Sequence, residues 1–113
     1  MSIDIWLHME IDTGGPELTD INLGDDWDIT HNVAPMWQLA GCYDALYKSN
    51  GRLAGEILPE LDAALVDMQN YPAKYKELNP PNGWGDYDSA IYFLSRVIDN
   101  FRKYPKAIIG VSK

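Results

Sequence analysis

The sequence predicts an α+β fold: a small sheet that pairs the N-terminal strand or strands with the C-terminal strand, covered by three main helices. Residues 3–11 alternate strictly between apolar and polar, which is typical of a strand with one buried face. Three longer segments carry apolar residues at helical spacing. Residues 107–111 are β-rich. Because a lone strand leaves its backbone groups unpaired, we expect the two chain ends to pair with each other.

The N-terminal half is predicted to be largely extended. In the first strand Ile3, Ile5, Leu7, Met9 and Ile11 share one face, which we expect to be buried. Residues 13–16 have the sequence Thr-Gly-Gly-Pro, which is typical of a turn. The alternating segment 18–23 predicts a second strand. We expect residues 24–26 to break it, and residues 27–30 to form either a short strand or an extended run into a helix.

The first main helix is predicted to begin after Thr30 or Asn32 and to end near Tyr47, before a turn over 49–51. The second covers about 53–70, with Pro59 near its start, and one or two helical turns follow within 73–78. The third runs from Asp86 or Asp88 to Tyr104.

The length of 113 residues predicts a single domain covering 1–113. No apolar run approaches the roughly 20 residues that span a bilayer, and the N-terminus lacks the pattern of a signal peptide. A lone cysteine, Cys42, provides no disulfide framework, so we expect a cytoplasmic protein. No histidine lies at a suitable spacing from Cys42, so we expect it to be a small buried side chain rather than a nucleophile.

The net charge of −8 is unevenly distributed along the chain. Residues 1–47 contain nine aspartates and glutamates and no lysine or arginine, whereas all nine basic residues lie in 48–113. This asymmetry disfavours direct binding to nucleic acid, whose phosphates require a basic face. It is compatible with a basic protein partner, a cation or mimicry of a polyanion.

Thr30, His31 and Asn32 form the first candidate site. At a helix N-terminus His31 suits a proton shuttle or a ligand, but a capping cluster is the favoured interpretation because local capping is common. With His8 it makes no zinc signature, so we predict no metal. The four aspartates at 20, 25, 26 and 28 lack the EF-hand pattern, which favours a solvated acidic loop over a calcium site.

The second candidate site is the loop over 79–87, Asn-Pro-Pro-Asn-Gly-Trp-Gly-Asp-Tyr. As a recognition loop it would offer the aromatic surface of Trp84 and Tyr87 and hydrogen bonds from Asn79, Asn82 and Asp86. Alternatively, Trp84 fills the core and the asparagines cap the next helix. Because glycines flank Trp84, both arrangements are open to the backbone.

Trp37 belongs to a larger set of aromatic residues that either line one pocket or partner-binding face, or simply pack the core. The other members are Trp6, Trp27, Tyr43, Tyr47 and Trp84.

The segments Thr30-His31-Asn32 and Asn82-Gly83-Trp84-Gly85, together with the C-terminal segment 107–112, resemble a family of small uncharacterised proteins of bacteriophages and some bacterial genomes. The resemblance extends over residues 3–112. It implies a context and no particular activity. By analogy, small accessory phage proteins often inhibit host machinery or host defences by binding. The resemblance marks His31, Asn32, Trp84 and Tyr87 as residues to test.

These observations predict a small acidic non-enzymatic binding protein, a phage accessory or counter-defence factor that binds a host protein with a basic surface. The alternative is a protein that binds or sequesters a small anionic, nucleotide-like ligand between the 30–32 turn and the 79–87 loop. A small hydrolase using His31 with a nearby carboxylate is less favoured. No cofactor, direct nucleic-acid contact or membrane contact is expected, and an open sheet edge makes a homodimer plausible.

Overall fold

A computed structural model describes all residues from Met1 to Lys113, and it confirms the α+β fold. The antiparallel sheet contains β1 (Ser2–Ile11), β2 (Thr19–Thr30) and β3 (Ile108–Ser112), in the order β2-β1-β3. The predicted pairing of the chain ends is present, since β3 lies beside β1 from Asp4, opposite Ser112, to His8, opposite Ile108.

The helical part follows the predicted order, with one division that was not predicted. A 3-10 turn (His31–Val33) leads into α1 (Ala34–Ala40), and α2 (Tyr43–Tyr47) follows. The remaining helices are α3 (Ala54–Asn70), α4 (Pro72–Lys76) and α5 (Tyr87–Lys103).

The prediction of a single helix up to Tyr47 was therefore wrong, because the helix is interrupted between α1 and α2. Gly41 adopts a left-handed conformation with φ of 82°, and it ends α1 through hydrogen bonds from its N–H to the preceding turn. Trp37 within α1 and Cys42 just after Gly41 are both buried in the core.

The helices cover one face of the sheet. Ile3, Ile5 and Leu7 of β1 are buried against them, and α5 contributes the apolar stripe that includes Phe93, Val97 and other core residues. We call the opposite side the outer face; by the alternation of the strands it carries Asp4, Trp6, His8, Glu10, Asp20, Asn22 and Asp28.

The break predicted within the second strand is a bulge instead. Ile5 lies opposite Trp27 and Leu7 lies opposite Leu23, so two extra residues of β2 are accommodated between these pairs. Gly24, with φ of 75°, provides the required backbone conformation. The strand continues on both sides, and the core-facing alternation is preserved.

Beyond Leu7 the β1–β2 hairpin extends past the helices. Every residue from 9 to 20 is exposed, including Met9 and Ile11, which the alternation predicts to be buried. We call this part, residues 9–20, the arm; the molecule measures 53 × 26 × 19 Å along its principal axes.

The two edges of the sheet differ. The outer edge of β3 is occupied by residues 50–53, because the Gly51 N–H donates to the Ile109 carbonyl at 2.8 Å and the Ile109 N–H donates to the Arg52 carbonyl at 2.8 Å. No strand pairs with the outer edge of β2, so this is the open edge of the sheet.

Candidate functional site

The structure brings the two predicted segments together. The side-chain amide of Asn32 donates to the Trp84 carbonyl at 3.3 Å. Gly85 packs so closely against the 30–32 turn that an added Cβ would lie 2.6 Å from the Thr30 methyl group. Since Gly85 also has φ of 89°, only glycine suits this position.

Most polar groups of the 79–87 loop determine its own shape. The Asn79 side chain accepts from the Tyr87 N–H at 2.8 Å, and the Asn82 side chain accepts from the Trp84 N–H at 3.0 Å. Asn79 therefore satisfies the first N–H of α5, which is the capping role that the alternative predicts. Asn82 bonds within the loop and does not cap the helix.

The helix starts beside this junction are also capped. Asp86 accepts from the Ser89 N–H at 2.7 Å, and this interaction lowers the pKa of the Asp86 carboxyl. Thr30 accepts from the Asn32 N–H at 3.3 Å, and the His31 N–H donates to the Met1 carbonyl at 3.2 Å. These amides already have partners within the protein.

The three candidate aromatic residues lie in different environments. Trp84 is 71% exposed, so it presents its indole to solvent rather than filling the core. Tyr87 is buried, its hydroxyl donates to the Met68 carbonyl at 2.7 Å, and burial raises its pKa. Trp37 is fully buried and its indole N–H lacks a hydrogen-bond partner. A ligand approaching from solvent meets Trp84 but not Trp37.

His31 is paired with a tyrosine. Its Nδ1 lies 2.7 Å from the hydroxyl of Tyr47, whose ring stacks on Tyr43 with centroids 4.4 Å apart. Burial, with a smaller contribution from Tyr43, raises the pKa of Tyr47 to about 12. No carboxylate forms a hydrogen bond or ion pair with His31, so this pairing lacks the acid that the hydrolase hypothesis requires.

Cys42 is fully buried, as expected, and burial raises the pKa of its thiol to about 12. A thiol with so high a pKa carries almost no thiolate at neutral pH, so it is a poor nucleophile.

The outer face concentrates carboxylates in a way that sequence reasoning missed. Asp4 lies directly opposite Asp28, and Glu10 lies directly opposite Asp20. Residues so placed have Cβ atoms about 4.5–5.5 Å apart, a separation at which like charges repel. Of these four carboxylates only Asp20 has a hydrogen-bonding side-chain partner, the Nδ1 atom of His8 at 2.7 Å. These pairs can be identified only from the register of the hairpin, that is, from which residues of β1 and β2 lie opposite each other. The bulge shifts this register.

Trp6 lies in the middle of the outer face, between these two acidic pairs. Its half-buried indole covers Gly110 of β3, where an added Cβ would lie 2.2 Å from the ring. The face thus combines a flat aromatic surface with carboxylates on both sides.

A groove runs along the open edge of β2, between this strand and α5. One section, of about 510 Å³, is lined by Trp27 and Ile29 from β2 and by Tyr92, Phe93 and Asp88 from α5. The Trp27 and Tyr92 rings meet edge to face with centroids 6.2 Å apart. This section is therefore mainly apolar, with aromatic walls.

A second section of the groove, of about 190 Å³, continues from Trp27 past the bulge. It is more polar: Gly24 and Asp25 face Arg96 and Lys103 of α5. Arg96 forms an ion pair with Asp99 at 2.7 Å. The groove thus changes from apolar to charged at the bulge.

No group of three or more His, Cys, Asp or Glu side chains is arranged to hold a metal ion. The helices of the structure are all too short or too polar to cross a membrane.

The chain was compared with protein-family models, with curated proteins and with solved structures, and none of the three comparisons gives a match. The resemblance to small phage proteins stays a prediction. The functional argument therefore depends on the geometry of the chain itself.

Proposed function

We propose that this chain is a non-enzymatic binding protein whose outer face binds a basic surface of another protein. One observation carries the proposal: two carboxylate pairs, Asp4 with Asp28 and Glu10 with Asp20, are aligned across the β1–β2 hairpin. Like charges placed directly opposite each other destabilise a hairpin. An arrangement that costs folding free energy is typical of a functional surface.

A cationic partner would relieve this repulsion. Lysine or arginine side chains placed between the paired carboxylates form ion pairs with both strands, while Trp6 offers an aromatic face for an arginine or for apolar contact. No lysine or arginine of the chain forms an ion pair with these four carboxylates, which leaves them to an external cation. Such a surface also accelerates association with a basic protein at low ionic strength.

The nucleotide-like ligand receives less support from the geometry. The amides at the start of the 3-10 turn and of α5 are already bonded within the protein, to Met1, Thr30, Asn79 and Asp86. Asp86 and Asp88 also add negative charge at the start of α5. An anion would therefore find few free donors and an unfavourable potential at this junction.

The test measures binding of nona-arginine by calorimetry at increasing salt concentration. We expect the double variant Asp4→Asn/Glu10→Gln to bind about tenfold or more weakly, because it removes one carboxylate from each pair. The matched control is Glu60→Gln/Glu77→Gln, which changes the net charge equally at two exposed positions without ion pairs, one within α3 and one just after α4.

Equal loss of affinity in both double variants would show that only net charge matters and would overturn the proposed outer-face site. So would unchanged affinity in the outer-face variant. Affinity for the wild-type chain should also fall as salt is added.

The phage accessory or counter-defence role, acting in the cytoplasm of the host, is part of this proposal and depends on the resemblance alone. Affinity capture from a bacterial lysate with the wild-type chain and with Asp4→Asn/Glu10→Gln as bait tests it. We expect a basic host protein that is enriched by the first bait and not by the second.

A further inference from the structure

The outer edge of β2 presents unpaired backbone groups over its whole length. β2 pairs with β1 alone, and none of the backbone hydrogen bonds in turns, loops or caps involves residues 19–30. An open edge of this kind is a template for another strand. The bulge over 24–26 divides it, so the segment Trp27–Thr30 is the regular part that lies along the apolar section of the groove.

The wall of the groove that α5 forms would contact one face of a strand added to β2. Tyr92, with 61% of its surface exposed, stands beside Trp27, and Phe93 lies deeper. An extended segment placed between β2 and α5 would direct every second side chain toward these aromatic residues. Apolar side chains suit these positions.

The remaining side chains of such a segment would lie on the outer face. There the nearest residue of β2 is Asp28, which already faces Asp4 across the hairpin. A lysine or arginine next to Asp28 would be an opposite-charge cross-strand neighbour. The pattern that fits is therefore an alternation of basic and apolar residues.

We propose that the edge of β2 over Trp27–Thr30 binds an extended, alternately basic and apolar segment of the partner as a fourth strand of the sheet. This inference rests on the proposed function, because it specifies how the basic partner engages the open edge that borders the outer face. Backbone hydrogen bonds supply affinity and the groove supplies selection for side chains, as in other cases of strand addition.

A second copy of this chain fits the edge poorly. Pairing two β2 strands would bring together two sets of the aspartates at 20, 25, 26 and 28, none of which is offset by a lysine or arginine in residues 1–47. Like charges on paired strands are destabilising. The polar section of the groove, with Arg96 and Lys103, limits the basic segment to the part of the edge that follows the bulge, residues 27–30.

The probe is a capped octapeptide of alternating lysine and valine, titrated into the isotopically labelled full chain. We expect amide shifts over residues 27–30 and slower hydrogen exchange there. The control peptide has the same side chains but a methyl group on every backbone nitrogen, so it cannot donate to β2. We expect it to bind about tenfold or more weakly, because it forfeits several hydrogen bonds.

Equal binding of the two peptides would overturn strand addition and leave the proposed function standing, because the outer face would then recognise charge alone. If neither octapeptide nor nona-arginine bound to the chain, the proposed function itself would be overturned. The free chain could instead dimerise as its concentration rises, with residues 27–30 protected in the dimer. In that case the occupant of the edge would be a second copy of this chain, and the inference would be overturned.

A pair of matched variants tests the groove. Tyr92→Ala removes the aromatic wall, whereas Tyr71→Ala removes a tyrosine of similar exposure, 58%, at the end of α3. We expect the first to weaken binding of the octapeptide about fivefold or more and the second to leave it unchanged. Nona-arginine, which places no apolar residue in the groove, should bind both variants alike; an unchanged octapeptide affinity in Tyr92→Ala would contradict the proposed mode.

Discussion

Asp86 illustrates how a single side chain determines where a helix begins. Its carboxylate accepts from the Ser89 N–H, one of the donors that have no partner within α5. The Ser89 backbone N–H and, to a lesser extent, its hydroxyl lower the pKa of Asp86 in the folded chain. The ionised cap is therefore a stabilising interaction of the native state.

We expect Asp86→Ala to lower the free energy of unfolding by about 1 kcal/mol, as for other N-cap substitutions. Because the folded pKa is lowered, the stabilisation is complete above the ordinary carboxyl pKa and is lost as the pH falls through the folded value. Urea unfolding as a function of pH measures both effects.

Asp86→Asn is the control, because an asparagine retains an acceptor for the Ser89 N–H but cannot ionise. It should remain close to wild type at neutral pH and lose the part of the acid dependence that Asp86 contributes. A neutral-pH stability of Asp86→Ala equal to that of Asp86→Asn would contradict the capping role.

Residue roles that depend on neighbours in sequence were predictable, whereas exposure was not. The caps at Thr30 and Asp86 follow from local spacing, since a side chain reaches amides two or three residues ahead. Trp84 and Trp37 are equally apolar, yet one is exposed and the other is fully buried. The difference depends on which distant element covers each ring, and no local pattern reports it.

Among the elements, the strands show where alternation succeeds and where it fails. Ile3, Ile5 and Leu7 are buried as predicted, but Met9 and Ile11 continue the same alternation in the arm, where no helix reaches them. The period of a strand indicates which residues share a face. Whether that face is covered depends on the length and placement of the helices.

The contact between β1 and β3 depends on the absence of a side chain at Gly110. An added Cβ would lie 2.2 Å from the Trp6 ring, so Gly110→Ala forces the indole or the strand to move. We expect a loss of about 1–3 kcal/mol in the free energy of unfolding, which is typical of overpacking. Thermal or urea unfolding measures it.

Gly15→Ala is the matched control, because its nearest neighbour would lie at an ordinary 3.7 Å and its φ is not positive. The double variant Trp6→Leu/Gly110→Ala should recover part of the stability lost in Gly110→Ala, relative to Trp6→Leu alone. No coupling between the two positions would mean that the close approach is not the cause.

For the molecule as a whole, the uneven distribution of charge opposes folding. The acidic half, residues 1–47, forms β1, β2, α1 and α2, while the basic residues lie in the later part of the chain. Composition alone predicted the asymmetry. The alignment of Asp4 with Asp28 required the register, which the two extra residues at the bulge made unpredictable from alternation.

We expect Asp4→Asn to raise the free energy of unfolding by about 0.2–1 kcal/mol at low salt, because it removes a directly opposed pair of like charges. The gain should shrink as salt screens the repulsion in the wild-type chain. Urea unfolding at two salt concentrations measures it, with Glu60→Gln as the control for net charge. Destabilisation of Asp4→Asn at low salt would show that Asp4 has a stabilising partner in the native state.

The arm has a consequence for how this molecule diversifies. The residues of the arm, 9–20, are all exposed, so the turn between the strands does not contribute to the buried core. Insertions, deletions or exchanges there leave the buried layer untouched, because loop tips of this kind tolerate change. Selection can therefore remodel the tip of the hairpin while the body of the protein stays constant.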